Sequence, residues 1–571
     1  MSDAETARAA LEGWRSARDR NAWDDDRFFH CLLARHVDDD QRRELEDELR
    51  RLAARLDSRF DERVARCNRD ENLPRVERHD PDGRAAERVV FHPDHHEVGR
   101  VFWDSRALAV LGEPGHEVAS GARIYLLDQY GEAGHACPVA CTAGAIRLIR
   151  DIGSDDQRRR FLPGLLEPDY DLRLHAAQFV TEIQGGSDVG LNEVRAVRDV
   201  SAPGGWRLSG EKWFCSVADA GLFVISARPE DAPEGTRGLG LFLAPRLLDG
   251  RPNGFRLRRL KVKLGTRSMP TGEIELDGAA AEPIGDLGGG FRHLVGIVLD
   301  TSRVHNAVAA CGLMRRAFVD ARSFAAARMA FNRPIAEFPA VQTILARMRV
   351  RTEAALTSTF RTLRQTDRLD TGAGDEALRG ARRISVMINK YWTAIHATRV
   401  ARDGIEVLGG NGTIEDFSIL PRLYRDAIVI ESWEGTHNTL CAQVLRDISV
   451  RRLHEPWLAE LEAEVGAVTS SELNGAVATA RALLDDLRQR LGRLVEADSI
   501  TASAWIRDVV DRMAVVTDWV SLTGQAQWDL EHDGGTETAD ALALYHRLEV
   551  QVRDRLDDPE RLALEGRLAH S

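Results

Sequence analysis

Apolar residues recur along most of this chain at helical spacing. In the N-terminal segment, Leu45, Leu49, Leu52 and Leu56 follow one another every three or four residues, which is the period of an amphipathic helix. We expect further helices up to about residue 170. Beyond the middle of the chain, the same period predicts bundle helices over residues 291–329, 339–366, 376–408 and 438–453. The tail that follows is also helical by period.

A central stretch follows a different period. Residues 206–214 alternate between apolar and polar, and short apolar runs bounded by Gly, Pro or Asp follow at 222–226, 239–243, 255–260 and 272–276. These runs predict a small β-domain between two helical regions. The residues just upstream of Gly185 and Gly186 look helical, so this glycine pair marks a seam where the backbone can turn and approach a ligand closely.

The two periods together predict an α+β protein that is mostly α. We divide the chain into an N-terminal helical extension (1–70), an N-terminal helical domain (71–177), a middle β-domain (178–287), a helical bundle (288–453) and a C-terminal helical extension (454–571).

Composition narrows the class of protein. The chain has 571 residues and is 43% hydrophobic, which suits a globular protein with a sizeable core. It has no run of about 18 apolar residues that could span a bilayer. Its acidic N-terminus differs from the basic and then apolar pattern of a signal peptide. We therefore expect a cytoplasmic protein without a membrane partner.

The cysteines bear on metal binding, and the charge bears on nucleic-acid binding. Cys137 and Cys141 lie near His135, so a metal site has to be considered. Their small, apolar neighbours favour packing thiols instead, and we expect no metal. The net charge is -13, and the tail from Glu455 onward carries about 23 acidic and about 11 basic residues. Because such a surface repels phosphates, we do not expect a nucleic-acid partner.

Five motifs follow one another in a fixed order. They are Gln178-Phe-Val-Thr-Glu-Ile-Gln-Gly-Gly-Ser187, Lys212-Trp-Phe-Cys215, Arg328 with Phe331 and Gln342, Glu406-Val-Leu-Gly-Gly410, and Trp433-Glu-Gly-Thr436. Over about residues 75–450 the chain thereby resembles the acyl-CoA dehydrogenase family. Within it, the likeness is greatest to the AidB-type (adaptive-response, isovaleryl-CoA-dehydrogenase-like) branch, where the glycine turn also reads Thr-Glu-x-Gln-Gly-Gly-Ser-Asp and the next strand reads Lys-Trp-Phe.

The resemblance implies a fold and a reaction. The fold is an N-terminal helical domain, a middle β-barrel domain and a C-terminal four-helix bundle, here with an extra C-terminal helical domain. The reaction is an FAD-dependent dehydrogenation of an acyl thioester, either acyl-CoA or carrier-bound, or of a related substrate. A carboxylate removes the α-proton while a β-hydride passes to the flavin, and the residue that matches the family's base is Glu434.

The resemblance also assigns cofactor and substrate residues. It places the isoalloxazine and pyrophosphate against Gln178, Phe179, Val180, Thr181, Gly185, Gly186, Ser187, Trp213, Phe214 and Cys215. It implies that an FAD held mainly by a neighbouring subunit is reached by Arg328, Phe331, Gln342, Glu406, Gly409 and Gly410, and that Thr436 and Asn438 contact the nucleotide after the base. The protein would then be a homo-oligomer, a dimer or tetramer. Asp300 and Arg303 match a pair in the family's substrate pocket, although Arg303 could equally be structural.

Departures from the family pattern leave alternatives open. Cys215 replaces a Thr whose hydroxyl addresses flavin N5, and a thiol is a poorer donor. Glu406 replaces a Gln, as it does in the AidB-type branch, and Thr413 replaces an aromatic residue. The electron acceptor could be an electron-transfer flavoprotein or oxygen. A flavin-dependent hydroxylase or oxidase on the same fold, or an AidB-like stress flavoprotein, are therefore alternative functions.

Overall fold

The computed structural model describes residues 3–16, 21–532, 535–551 and 559–570. Its α-helices are α1 (Asp3–Ser16), α2 (Arg27–His36), α3 (Asp39–Arg55), α4 (Ser58–Cys67), α5 (Pro93–Asp104), α6 (Glu117–Leu127), α7 (Ala133–Ile152), α8 (Asp155–Leu165), α9 (Gly290–His293), α10 (Leu299–Ala327), α11 (Pro339–Asp370), α12 (Glu376–Leu408), α13 (Leu420–Ser432), α14 (His437–Arg451), α15 (His454–Gly466), α16 (Asn474–Glu496), α17 (Ser499–His532), α18 (Glu537–Tyr545) and α19 (Pro559–His570).

The strands are β1 (Arg75–His79), β2 (Ala85–Val90), β3 (Ala176–Phe179), β4 (Arg195–Arg198), β5 (Trp206–Ser216), β6 (Leu222–Pro229), β7 (Gly240–Pro245), β8 (Leu247–Leu248), β9 (Arg251–Pro252), β10 (Phe255–Leu260), β11 (Thr271–Pro283), β12 (Met329–Ala330) and β13 (Arg333–Pro334). Within the described ranges, no helix combines the length and the apolar character that crossing a membrane needs.

A closed barrel forms the middle of the chain. Its ring runs β11–β5–β4–β6–β7 and returns to β11, while β10 pairs with the edge of β11 and β3 adds to β6. The pairing of β3 with β6 is parallel, with Gln178 opposite Val224, whereas β5 and β11 are antiparallel. Strand β6 is buried almost throughout, as expected for a strand with neighbours on both edges and both faces covered.

The chain divides into two compact units. One, the helical unit, comprises Met1–Ser58, Glu117–Gly131 and Asn306–Ser571. The other, the barrel unit, comprises Arg59–His116 and Glu132–His305. Each unit is therefore assembled from separate stretches of sequence, which a division read along the chain does not reveal.

The tail beyond residue 454 shares its core with the bundle helices of the helical unit. Trp457, Leu484 and Met513 belong to the same buried cluster as Val350 and Ile384. Helix α16 contributes the leucine face expected from its period, since Leu483, Leu484, Leu487, Leu491 and Leu494 are all buried. The helical tail predicted from sequence is confirmed, and its apolar face is part of one continuous core.

The predicted fold class is confirmed, and several elements differ in detail. The residues upstream of the glycine turn form strand β3 and not a helix, because they pair in parallel with β6. The β1–β2 hairpin, the four-residue strand β4 and helix α13 were not predicted. The helix predicted over residues 291–329 is interrupted by a π-helical segment at Leu294–Val298 and ends at Ala327.

Two stacked histidines are buried in the barrel unit. The rings of His95 and His135 stack with centroids 4.1 Å apart, and His135 Nε2 lies 2.7 Å from the carbonyl oxygen of His95. Burial lowers the pKa of His135 to about 3 and lowers the pKa of His95 well below its ordinary value. Both rings are therefore neutral in the folded protein at pH 6, where an unfolded chain already begins to protonate them.

The difference between the folded and unfolded pKa values of His95 and His135 predicts that the protein loses stability in acid. Because the folded pKa values lie below the unfolded value of 6.5, these histidines add stability above pH 6.5 that is lost as pH falls towards 3. We expect each to cost about 1.4 kcal/mol of unfolding free energy at pH 5.5. Urea unfolding at pH 7.5, 6.5 and 5.5 measures the loss. His135→Gln should flatten the slope and His116→Gln should not; equal slopes in all three proteins would refute the assignment.

Candidate active site

The glycine turn after β3 is held tightly from inside. The N–H of Glu182 donates to the carbonyl of Gly185 at 3.3 Å, and the N–H of Gly185 donates back to the carbonyl of Glu182 at 3.1 Å. A Cβ on Gly185 would lie 2.5 Å from Oδ1 of Asn192, so only glycine fits there. By contrast, the one atom of the described residues that a Cβ on Gly186 would meet within 4 Å is Thr181 Cγ2, at 3.8 Å. The turn thus presents exposed backbone at Gly186 and Ser187.

A buried ion pair fixes this turn to the barrel. Lys212 Nζ donates to Glu182 Oε1 at 2.7 Å, with the side chains 0% and 3% exposed. Lys212 also donates to the carbonyl of Val180 and to Ser226 Oγ, both at 3.1 Å. Glu182 in turn accepts the N–H of Glu193 at 2.6 Å. Burial lowers the pKa of Lys212, while the charge of Glu182 opposes that shift.

The pair was not identified from sequence, although a signal existed. Lys212 occupies an inward position of the alternating strand β5, where apolar residues are the rule. A charged residue at such a position requires a buried partner. The partner in the structure is Glu182, inside the glycine motif itself.

The three predicted flavin residues of β5, Trp213, Phe214 and Cys215, lie in different surroundings. The N–H of Trp213 donates to the carbonyl of Thr181 at 2.9 Å, which ties the strand to the glycine turn. Lys261 Nζ lies 3.4 Å from the centroid of the Trp213 ring, and Phe214 is exposed. Cys215 is fully buried, and burial raises the pKa of its thiol. Its side chain therefore faces the protein interior.

Strand β3 contributes one polar contact and one core residue. Gln178 Nε2 donates to Ser302 Oγ at 3.0 Å, so Gln178 contacts the start of α10, which also carries Asp300 and Arg303. Asp300 is half-buried and Arg303 is buried. Phe179 stacks on Phe223 with ring centroids 4.5 Å apart. Its side chain belongs to the core, which leaves only its backbone for a cofactor.

In the helical unit, four predicted residues line one open groove of about 590 Å³. They are Arg328, Glu406, Gly409 and Gly410, joined by apolar residues such as Phe324, Ile335 and Ile414. Helix α12 ends at Leu408, and Gly409 has a φ of 61°, a left-handed conformation that suits glycine. Among the described residues, and apart from the chain neighbours of each glycine, no atom lies within 4 Å of a Cβ built on Gly409 or Gly410, so both backbones are open to a ligand.

Two other predicted residues of this unit lie outside the groove lining. Phe331 and Asn332 form the left-handed turn of the β12–β13 hairpin, with φ values of 49° and 65°. Phe331 is 90% exposed. Gln342 is half-buried in the first turn of α11.

The predicted base lies on a strained loop. Helix α13 ends at Ser432 and α14 begins at His437, with Thr436 as its N-cap. Between them Glu434 is half-buried and has a φ of 57°, which is unfavourable for a residue other than glycine. Such strain persists only where the surroundings enforce it, and it concentrates at functional sites. Asn438 is exposed in the first turn of α14.

A buried lysine enforces the loop conformation. Lys390, 0% exposed on α12, donates to the carbonyl of Gly435 at 2.9 Å and to that of Glu431 at 3.2 Å. His437 Nε2 lies 2.8 Å from Glu431 Oε2, which joins the two helix ends. Sequence reasoning missed both contacts; the available signal was a lysine within the apolar stretch around Ile388 of a predicted bundle helix.

The cysteine pair considered as a metal ligand is part of helix α7. Cys137 Sγ and Cys141 Sγ lie 3.9 Å apart, and both side chains are buried. Nearby His135 is directed to a backbone carbonyl, as described above. In the part of the chain that the structure covers, no three His, Cys, Asp or Glu side chains lie together in a way that could hold a metal ion.

Sequence profiles of three domains match the chain in succession. They are the adaptive response protein AidB N-terminal domain at residues 14–172, the acyl-CoA dehydrogenase middle domain at 177–279 and the acyl-CoA dehydrogenase C-terminal domain at 288–449. AidB of Escherichia coli is 33% identical over 407 residues, which cover 69% of this chain and 72% of AidB.

Two comparisons with Caenorhabditis elegans proteins agree. Acyl-CoA dehydrogenase family member 11 is 33% identical over 426 residues, 71% of this chain and 68% of that protein. The crystal structure of ACDH-11 in complex with C11-CoA superimposes with a TM-score of 0.84 at 26% identity, covering 93% of this chain and 91% of that one. This chain therefore belongs to the acyl-CoA dehydrogenase family and is an FAD-dependent oxidoreductase.

The residues present fit FAD. The groove of the helical unit supplies an exposed guanidinium, Arg328, which suits a pyrophosphate, and two glycine backbones with open space above them. The barrel unit supplies the open backbone at Gly186 and the partly exposed ring of Trp213. Small donors and an aromatic face are the groups that a flat heterocycle with phosphates requires.

Breaking the buried ion pair should destabilise the barrel. In Lys212→Met the carboxylate of Glu182 stays buried without its ammonium, and we expect a loss of about 3–5 kcal/mol in urea unfolding. The double variant Lys212→Met/Glu182→Gln should lose less, because the uncompensated charge is gone and the amide oxygen still accepts the N–H of Glu193. A single variant as stable as the wild type would contradict this role.

Removing the groove guanidinium should release flavin. We expect Arg328→Ala to bind FAD at least about 10-fold more weakly, since hydrogen bonds to charged groups contribute roughly 1.5–3 kcal/mol. Flavin absorbance retained after ultrafiltration is the measurement. Arg333→Ala is the matched control, because it removes an exposed guanidinium of the adjacent hairpin that is outside the groove lining. Full flavin retention in Arg328→Ala would remove this residue from the site.

Proposed function

We propose that this protein dehydrogenates an acyl thioester, with Glu434 as the base that removes the α-proton. The observation that carries the proposal is the left-handed conformation of Glu434 on a loop held by buried Lys390. A fixed carboxylate is what abstraction of a weakly acidic proton needs, since misplacement of the base by about 1 Å can cost about 10²-fold in rate.

Family membership and one relative support the proposed substrate class. The ACDH-11 structure, similar to this chain over 93% of its length, is a complex with C11-CoA. This supports an acyl-CoA as the substrate here, with a carrier-bound acyl group as the variant on the same chemistry. Asp300 and Arg303, at the start of α10, are the proposed substrate residues of the barrel unit.

The chain's residues divide the work of the reaction. Glu434 accepts the α-proton, and FAD, when bound, supplies the acceptor for the β-hydride, which leaves a 2,3-unsaturated thioester. Thr181, Ser187 and Trp213 bind and orient the cofactor from the barrel unit. In the groove of the helical unit, Arg328 and the glycines at 409 and 410 bind the charged end of an FAD held by a second copy of the chain. The electrons then leave for an electron-transfer flavoprotein or oxygen.

The protein works as a homo-oligomer in this proposal. Phe331 is 90% exposed at the tip of a hairpin whose backbone is strained, next to the groove residue Arg328. An apolar ring held in water by a strained turn supports a contact with a second copy, whose FAD the groove would reach. A dimer or tetramer satisfies this arrangement.

The decisive variant removes only the base. We expect Glu434→Gln to keep FAD while turnover falls by about 10²–10⁴-fold, because the amide preserves shape but cannot take a proton. Glu415→Gln, an exposed carboxylate paired with Arg425, is the matched control and should retain activity. Steady-state dehydrogenation and flavin content are measured on the same samples. Full turnover in Glu434→Gln would refute the proposed role.

Anaerobic titration of the holoprotein with acyl thioesters of different chain length tests the reaction class. We expect the flavin absorbance to bleach with at least one thioester, because reduction of the flavin is half of the proposed reaction. The matched thioether analogue lacks the carbonyl that acidifies the α-proton, so it is not dehydrogenated and should bind without bleaching. A yellow protein that no thioester bleaches would contradict the proposal and favour the oxygen-dependent or AidB-like alternatives.

A further inference from the structure

Helix α17 of the C-terminal tail reaches the loop that carries Glu434. It spans 34 residues, and most of its middle is buried in the core shared with α12 and α14. Near its N-terminal end, two charged residues one helical turn apart, Arg507 and Asp511, contact α12 and α14 through their side chains. Both contacts are polar and reach residues beside the loop that carries Glu434.

Tyr391 is the first point of contact. This residue of α12 is buried, and its hydroxyl donates to Oδ1 of Asp511. Burial and the neighbouring carboxylate both raise the pKa of Tyr391, so the hydroxyl keeps its proton and remains a donor. A buried phenol with a charged acceptor has one favoured orientation. Asp511 therefore fixes the Tyr391 ring.

The Tyr391 ring in turn contacts His437, directly after the loop that carries Glu434. Its centroid lies 5.1 Å from that of His437 at an interplanar angle of 89°, an edge-to-face contact. His437 is the first residue of α14 and pairs with Glu431 at the end of α13. The ring thus supports the bridge that joins the two helices on either side of Glu434.

Arg507 contacts the same segment at Asn438. Its Nη1 donates to Asn438 Oδ1 at 3.5 Å, and its guanidinium carbon lies 5.9 Å from the Tyr391 ring centroid. Asn438 follows the loop that carries Glu434 and lies in the first turn of α14. Lys390 of α12 binds the carbonyls of Glu431 and Gly435. Residues 431–438 are therefore held by two helices, α12 and α17.

We propose that α17 is a positioning element of the active site: Asp511 and Arg507 orient Tyr391 and Asn438, and thereby hold the loop that presents Glu434. The tail is then required for the reaction geometry and not only for packing. The expected effect of these contacts on kcat rests on the proposed function of Glu434 as the base. Their expected effect on the loop conformation does not.

Hydrogen exchange of the holoprotein tests the structural part. In Asp511→Ala we expect amide exchange in the peptide covering residues 432–440 to accelerate by about 10-fold, since one charged hydrogen bond supporting the loop is lost. Asp511→Asn should stay near wild type, because the amide oxygen still accepts the Tyr391 hydroxyl. Asp508→Ala, an exposed carboxylate on the same helix, is the matched control. Unchanged exchange at 432–440 in Asp511→Ala would overturn the proposal.

Kinetics of the same variants test the functional part. We expect kcat of Asp511→Ala to fall by about 10-fold with KM changed less than about twofold and flavin content retained, as displacement of a base predicts. Tyr391→Phe, which removes only the hydroxyl, should reproduce the effect if Asp511→Ala folds poorly. Faster loop exchange with unchanged kcat would contradict the positioning role. If the wild type is inactive and the loop exchanges faster in Asp511→Ala, the proposed role of Glu434 as the base is refuted. The support of the loop by α17 is then still upheld.

Discussion

The buried ion pair between Lys212 and Glu182 is the constraint on which the barrel unit depends. Both charges are out of contact with water, and each makes further hydrogen bonds, to Val180 and Ser226 on one side and to Glu193 on the other. Loss of either partner would leave an uncompensated charge in the interior. The glycine turn and the strands beside it therefore have one stable arrangement, and that arrangement exposes the turn's backbone to a ligand.

In the helical unit, a second buried lysine, Lys390, holds an irregular loop in place. Lys390 satisfies carbonyl groups on both sides of Glu434, so the surrounding structure compensates for the unfavourable backbone of that residue. In both units a long cationic side chain, inserted from a regular element, holds an irregular loop. The rigid helix or strand supplies precision, and the loop supplies an accessible functional group.

The C-terminal tail extends this principle beyond the part of the chain that carries the family motifs. Its helices share one apolar core with α11, α12 and α14, so its position relative to them is set by packing. Asp511 and Arg507 add polar contacts next to the loop that carries Glu434. The acidic character that argued against a nucleic-acid role is compatible with this arrangement, because Asp511 and Arg507 each use their charge in a specific contact.

Local periods and motif order by themselves determined the sequence of helices, barrel strands and helices, the glycine turn and the candidate base, since these features depend on neighbouring residues. Tertiary structure alone decided what depends on distant partners. It made the segment before the turn a strand by pairing it with β6, turned the Cys215 side chain inward, gathered Arg328 and Glu406 into one groove, and chose the partners of Lys212 and Lys390. Periodicity reports which face of an element is buried, but it carries no information about which element covers that face.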